Sequence, residues 1–144
     1  MQVLSYVSKS LISRDDREFE MGSIVRSAQE NNYKSSVTGV LFFSDGMFFQ
    51  TIEGPGDAVR DTYAIIEKDK RHQDLLVLLN EPITERQFSN WSMEGFYHPT
   101  PQTNIQSPLI DIKDHVRSAS VFTPASLADF TQQLMGRIPR FNLA

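Results

Sequence analysis

Val37-Thr38-Gly39-Val40-Leu41-Phe42-Phe43-Ser44-Asp45-Gly46-Met47-Phe48-Phe49-Gln50-Thr51-Ile52-Glu53 joins two β-prone runs through Asp45-Gly46, the strongest short hairpin signal in the chain. A two-residue loop sets Ser44 opposite Met47. Counting back pairs Phe43 with Phe48, Leu41 with Gln50 and Gly39 with Ile52, and these six share one face because side chains alternate along a strand. The other face carries Val40, Phe42 and Phe49 with Thr38, Thr51 and Glu53, and is the more polar of the two. Gln50 interrupts the more apolar face.

After the hairpin, Gly54-Pro55-Gly56 makes a turn, and Val59, Thr62, Tyr63 and Ile66 fall on one stripe of a helix expected over 57–69. Leu75 to Leu79 reads as a buried strand, Thr84 to Asn90 as a polar connection and Trp91 to Tyr97 as a final strand. Before the hairpin, Val3 to Ser8 reads as a first strand. Met21, Ile24, Val25 and Ala28 recur at helical spacing between Arg17 and Asn32, with Asp15 or Asp16 as a cap and Asn31-Asn32 as the ending. The order β-α-β-β-α-β-β is an α+β, ferredoxin-like βαββαβ sheet with one extra strand and two helices on one face.

The chain has 144 residues, 40% hydrophobic and 22% charged, as suits one globular domain with its own core. Cysteine is absent, which removes thiol catalysis, disulfides and Cys-ligated zinc and fits a reducing cytoplasm. A net charge of -4 argues against nucleic acid as a partner. The N-terminus has no basic region followed by an apolar run, and no window approaches a membrane span, so the expectation is a cytoplasmic protein with no membrane partner. Pro99, Pro101 and Pro108 mark a linker, Leu109 to Val116 is weakly helical, and Thr123 caps a helix from about Pro124 to Gly136. Its stripe of Leu127, Phe130 and Leu134, continued by Ile138, must cover the sheet's second face or meet another subunit.

Among residues that could carry chemistry, Gln50 needs hydrogen-bond partners if buried, either structural or from a ligand. Tyr6 is either a packed strand tyrosine or an oxidisable group. Asn32 extends the Ile24-Ala28 stripe, so Asn31-Asn32 either caps the helix or addresses a slot beside it. Ile66 faces inward from the second helix, and a flat heterocycle would fit between the two helices; plain helix packing explains the same residues. Lys68, Arg71 and His72 complement a helix dipole or hold phosphates. Trp91 and Met93 point to the same side if the backbone between them is extended. No metal constellation, Walker loop, Gly-x-Ser-x-Gly or Gly-x-Gly-x-x-Gly is present.

Leu4-Ser5-Tyr6-Val7-Ser8, Asn31-Asn32, Val37-Thr38-Gly39-Val40-Leu41, Phe48-Phe49-Gln50-Thr51-Ile52-Glu53-Gly54, Asp69-Lys70-Arg71-His72 and Arg86-Gln87-Phe88-Ser89-Asn90-Trp91-Ser92-Met93 occur in an order and spacing that resemble the BLUF family, flavin-binding sensors of blue light. The resemblance covers about residues 2–97. It implies a non-enzymatic photoreceptor with FAD, or alternatively FMN or riboflavin, held non-covalently. Tyr6 would be the electron and proton donor and Gln50 the switching amide, whose rearrangement shifts absorption to the red. Asn32 would bond the ring edge with Asn31 nearby, Ile24 and Ile66 would sandwich the ring, Arg71 and His72 would lie toward the ribityl phosphate, and Trp91 and Met93 would relay the signal. It divides the chain into a sensor at 1–97 and a linker with a C-terminal helical extension at 98–144. It also implies a homodimer or higher homo-oligomer acting on a separate effector protein. The competing readings are an acylphosphatase-like hydrolase, for which Ser8-Lys9-Ser10-Leu11-Ile12 lacks a Gly-rich, Arg-bearing phosphate loop, and a flavin-free oligomerisation module.

Overall fold

The computed structural model describes residues 1–98 and 122–142. Five strands, β1 (Gln2–Ser10), β2 (Thr38–Ser44), β3 (Met47–Gly54), β4 (His72–Pro82) and β5 (Glu94–Tyr97), form one sheet in the order β4-β1-β3-β2-β5. All neighbours are antiparallel except β2 and β5, which run parallel. Helices α1 (Arg17–Ser35) and α2 (Gly56–Glu67) pack on one face and α3 (Pro124–Met135) on the other. This is the ferredoxin-like α+β arrangement with an added strand that the residue pattern predicts.

The hairpin register is the expected one, with Ser44 opposite Met47, Leu41 opposite Gln50 and Gly39 opposite Ile52. Asp45 and Gly46 both take positive φ, 51° and 77°, as a tight turn matched to strand twist requires. Leu41, Phe43, Phe48 and Ile52 face α1 and α2, while Val40, Phe42 and Phe49 face α3. The second face is as dry as the first. Its polar members Thr51 and Glu53 are 4% and 1% exposed.

Several boundaries move, each for a physical reason. Helix α1 runs past Asn31-Asn32 to Ser35 and closes on Ser36 in the left-handed region at φ 62°, so the two asparagines sit inside the last turns and do not end the helix. Its start follows a 3-10 turn in which Ser13 Oγ donates to Asp16; neither Asp15 nor Asp16 caps α1 through its side chain. Strand β4 is longer than Leu75–Leu79 and lies at the sheet's edge, so Leu76 and Val77 are exposed rather than buried. Two register shifts against β1 and the positive φ of Asp74, 55°, bend this edge, a shape that discourages pairing with another chain. The final strand is only Glu94–Tyr97, and residues 91–93 enter it as irregular backbone. Gly95 is required there: a Cβ would stand 2.8 Å from Val25 Cγ2 of α1.

Helix α3 begins on a capping box in which Thr123 and Ser126 each satisfy the other's backbone N–H. Leu127, Leu134 and Ile138 are buried against the sheet, so the apolar stripe covers this chain's own second face. Beyond it, Tyr97 N–H bonds Pro139 O at 2.8 Å and Phe141 N–H bonds Gly95 O at 2.7 Å, laying a short segment along β5. The expected linker with Pro99, Pro101 and Pro108, and the weak helix at Leu109 to Val116, lie outside the described residues.

Candidate functional site

Between α1 and α2, over the middle of the sheet, lies a cleft of about 750 Å³ counted with its open mouth. Tyr6 and Gln50 sit in its floor because β1 and β3 pair with these two residues opposite each other and on the same face. Leu41 and Phe48 complete the floor, and Ile24 and Ala28 from α1 face Ile66 from α2 across it. Two apolar walls over a floor with a few placed polar groups is the usual construction of a cofactor site.

The Tyr6 hydroxyl donates to Gln50 Oε1 at 2.5 Å, and both side chains are buried. Gln50 Nε2 reaches Met93 Sδ at 3.8 Å. A thioether is a weak acceptor, so this buried amide nitrogen is poorly served and a carbonyl or ring nitrogen in the cleft would serve it better. Burial pushes the Tyr6 phenol far above its ordinary range, and Asp69 and Tyr63 add to that. Tyr6 therefore stays a neutral hydroxyl donor to Gln50 at ordinary pH.

At the α1 side, Asn32 is 2% exposed and its Nδ2 donates to Ser92 O at 2.8 Å. The helix continues through it, so its side-chain amide makes a tertiary bond instead of ending the helix. Asn32 also lines the cleft. Asn31 lies at the rim and is exposed.

Arg71 and His72 line the opposite end, and both have protein partners. Arg71 is gripped by Asp69, at 2.6 Å, and by Glu20 of α1, at 3.2 Å. The Arg71 side chain holds the Asp69 carboxyl below the usual carboxylate range. His72 Nε2 donates to Ile66 O at 2.7 Å, since a carbonyl only accepts, and Nδ1 lies 2.7 Å from Ser8 Oγ. The ring thereby ties β1, β4 and the end of α2 together, edge-on to Tyr6 at 6.0 Å between centroids. Lys68 occupies the C-cap position of α2, and His72, through its bond to Ile66 O, satisfies one of the helix's last carbonyls, as the expectation for a helix end has it; Arg71 is turned to Asp69 and Glu20 instead.

Trp91 and Met93 stand on opposite sides of the sheet, contrary to the expectation for an extended run. Met93 is 1% exposed and packs with the cleft-side core. Trp91 stacks on Phe88 at 5.9 Å between centroids and meets Phe96 and the Arg140 guanidinium on the α3 side. The irregular backbone at 91–93 breaks the strand alternation on which the same-side expectation rests.

Sequence reasoning passed over three contributors. Gln29 of α1 donates to Met93 O at 2.9 Å, Ser92 supplies its carbonyl to Asn32, and Ser8 holds His72. Gln29 was the most visible of them, one helical turn before Asn32 on the same side.

The family described as sensors of blue light using FAD matches residues 1–94. Photoactivated adenylate cyclase subunit beta of Euglena longa is 34% identical over 133 residues, which span 90% of this chain and 15% of that protein. The blue light- and temperature-regulated antirepressor BluF of Escherichia coli K12 is 34% identical over 90 residues, 62% of this chain and 22% of that one. This chain thus spans only a small part of the curated relatives it matches. Among solved structures, BlsA in its photo-activated state superimposes with a TM-score of 0.71 at 27% identity, covering 93% of this chain and 94% of that one. The dark state of BlrB, a BLUF protein, gives 0.70 at 26% identity over 94% of this chain and 96% of that one.

Proposed function

Because this chain belongs to the BLUF family, the sensors of blue light using FAD, we propose that it is a photoreceptor holding a flavin non-covalently in the cleft between α1 and α2. The observation that carries the reading is the Tyr6 to Gln50 hydrogen bond in the cleft floor, with the far end of the Gln50 amide facing only a thioether. A bound flavin supplies, on absorbing blue light, an oxidising excited state beside Tyr6. Tyr6, once it gives up an electron, becomes strongly acidic and passes its hydroxyl proton toward Gln50 Oε1. Gln50 moves with that proton, by rotation or by tautomerisation, and turns a different set of donors toward the cleft and toward Met93. The electron and proton then return to Tyr6, so no substrate is consumed and the residue left changed is Gln50. With a flavin bound, the rearranged Gln50 amide would offer it an added hydrogen bond, and absorption would shift to the red.

The remaining cleft residues bind and orient. Ile24 and Ile66 hold the two ring faces and exclude water, Asn32 fixes the polar ring edge with Asn31 at the rim, and Arg71 and His72 lie toward the ribityl end. FAD is the flavin the family description names; FMN and riboflavin share the ring that the cleft grips. Met93 on the cleft side and Trp91 on the α3 side carry the change across the sheet. In this reading 1–97 is the sensor, 98–144 is linker and cap, and the response is made by a separate effector that binds the two states of Gln50 differently. Association into a homodimer or larger homo-oligomer, in the cytoplasm, belongs to the same proposal.

Absorption spectra of the purified protein in darkness, after blue light and during dark recovery test the core of it. A flavin spectrum with a small, reversible red shift is expected. Protein that stays colourless after refolding with FAD would overturn the photoreceptor reading and leave a flavin-free interaction module.

A further inference from the structure

Glu53 is 1% exposed on the sheet face opposite the cleft, three residues along β3 from Gln50. Its carboxylate accepts from Gln87 N–H at 2.8 and 3.0 Å and from Phe88 N–H at 2.8 Å. A buried carboxylate is costly unless its oxygens are satisfied, and here two consecutive backbone donors of the connection between β4 and β5 do so. Burial still pushes the Glu53 carboxyl up, against the lowering effect of those two donors and of Arg86. The clamped residues begin the segment that ends at the cleft. Phe88 stacks on Trp91, Trp91 O accepts from Gly39 N–H at 2.9 Å, Ser92 O accepts from Asn32, and Met93 Sδ faces Gln50.

We infer that Glu53 is a positioning residue for the cleft. Its grip on the Gln87 and Phe88 backbone sets where Met93 meets Gln50 on one face and where Trp91 meets α3 on the other. The segment from Gln87 to Met93 is not part of a strand, so its placement depends on Glu53 at one end, on the single bond from Gly39 N–H to Trp91 O, and on Asn32 and Gln29 at the other end. Loss of the clamp frees Met93 from its dark-state contact with Gln50. The return of Gln50 to that contact then slows. This consequence rests on the photosensor reading, whereas the placement of Trp91 does not.

The test uses the full chain with FAD bound, comparing wild type, Glu53→Leu and Glu53→Gln. Glu53→Leu removes both acceptors; Glu53→Gln keeps one oxygen that both N–H groups already approach. In Glu53→Leu the flavin absorption maximum is expected to stay, with dark recovery slowed about fivefold or more. The fluorescence of Trp91, the sole tryptophan, moves to longer wavelength, and the Gln87 and Phe88 amides exchange faster in dark protein. Glu53→Gln falls between wild type and Glu53→Leu on all three readouts. A residue that only stabilised the fold would lower Tm and leave recovery and Trp91 emission at wild-type values in the folded protein, and that result overturns the inference. Should Glu53→Leu not fold, Glu53→Gln decides by itself: wild-type recovery, emission and exchange overturn the inference. Wild-type protein without any light-induced shift would instead overturn the photosensor reading, while Trp91 emission and amide exchange still decide the role of Glu53.

Discussion

The two faces of one sheet are built from alternate residues of the same strands and come out unlike. Toward α3, Phe42 stacks on Phe96 at 4.7 Å, Phe49 meets Phe130, and Leu127 and Leu134 close the space. Toward α1 and α2, Tyr6, Gln50 and Asn32 stand among aliphatic residues around a cleft. Polar groups are buried on both faces. On the α3 face they bond one another or the backbone, as Ser5 to Thr51 and Glu53 to Gln87 and Phe88 do. On the cleft face Gln50 has a partner as poor as a thioether. A filled face is a stabilising device, and an underserved amide beside a cleft is a place for a ligand.

The sharpest way to break that contrast is at the floor of the cleft. Tyr6→Phe is expected to abolish the light-induced red shift with flavin retained, since the ring still packs but has no hydroxyl proton; a full reversible shift in difference spectra would remove Tyr6 from the mechanism. Gln50→Leu should behave likewise, yellow and unresponsive. On the other face, Leu134→Ala empties a site that is 1% exposed and should cost about 2–5 kcal/mol in denaturant unfolding. The dark flavin spectrum should not change, and a spectral change as large as that of a cleft variant would mean the faces are not independent.

Smaller effects sharpen the comparison where the faces meet. Met93→Ala should alter dark recovery several-fold with the photoreaction kept, because it removes the sulfur beside Gln50, an effect of about 1 kcal/mol. Trp91→Ala should keep the photoreaction and weaken the docking of α3, read as faster amide exchange there. Loss of all photochemistry in either would contradict a relay. The smallest effect is electrostatic. Arg71 holds the folded Asp69 carboxyl below its ordinary pKa, so the pair's stabilisation is present above about pH 4 and fades as pH falls through the lower folded value. Asp69→Asn should flatten that part of the stability curve by less than about 1 kcal/mol, since these side chains are 30% and 33% exposed.

The hairpin, its register, the two faces and the residues of the cleft floor were legible because strand alternation and a two-residue turn are local rules that leave one solution. The same rule placed Tyr6 opposite Gln50 once β1 paired with β3. Where backbone leaves the ladder the rule has nothing to act on, which is why Trp91 and Met93 part company although they stand two positions apart. Asn31-Asn32 carry a helix-ending tendency, yet the bond from Asn32 to Ser92 lies sixty residues away in sequence and outweighs it. Glu53 counted in the sequence only toward the polarity of the second face; the backbone donors that satisfy it come from 34 and 35 positions further on.

Spacing along the chain was thus enough for most of the elements and their order, because periodicity encodes which side of an element each residue occupies. It was not enough for the closing of the second face by α3, the bent edge of β4 or the crossing of the sheet between Trp91 and Met93. Those depend on contacts between segments far apart in sequence, where a single hydrogen bond or a buried side chain chooses among backbones that local preference leaves nearly equal in free energy.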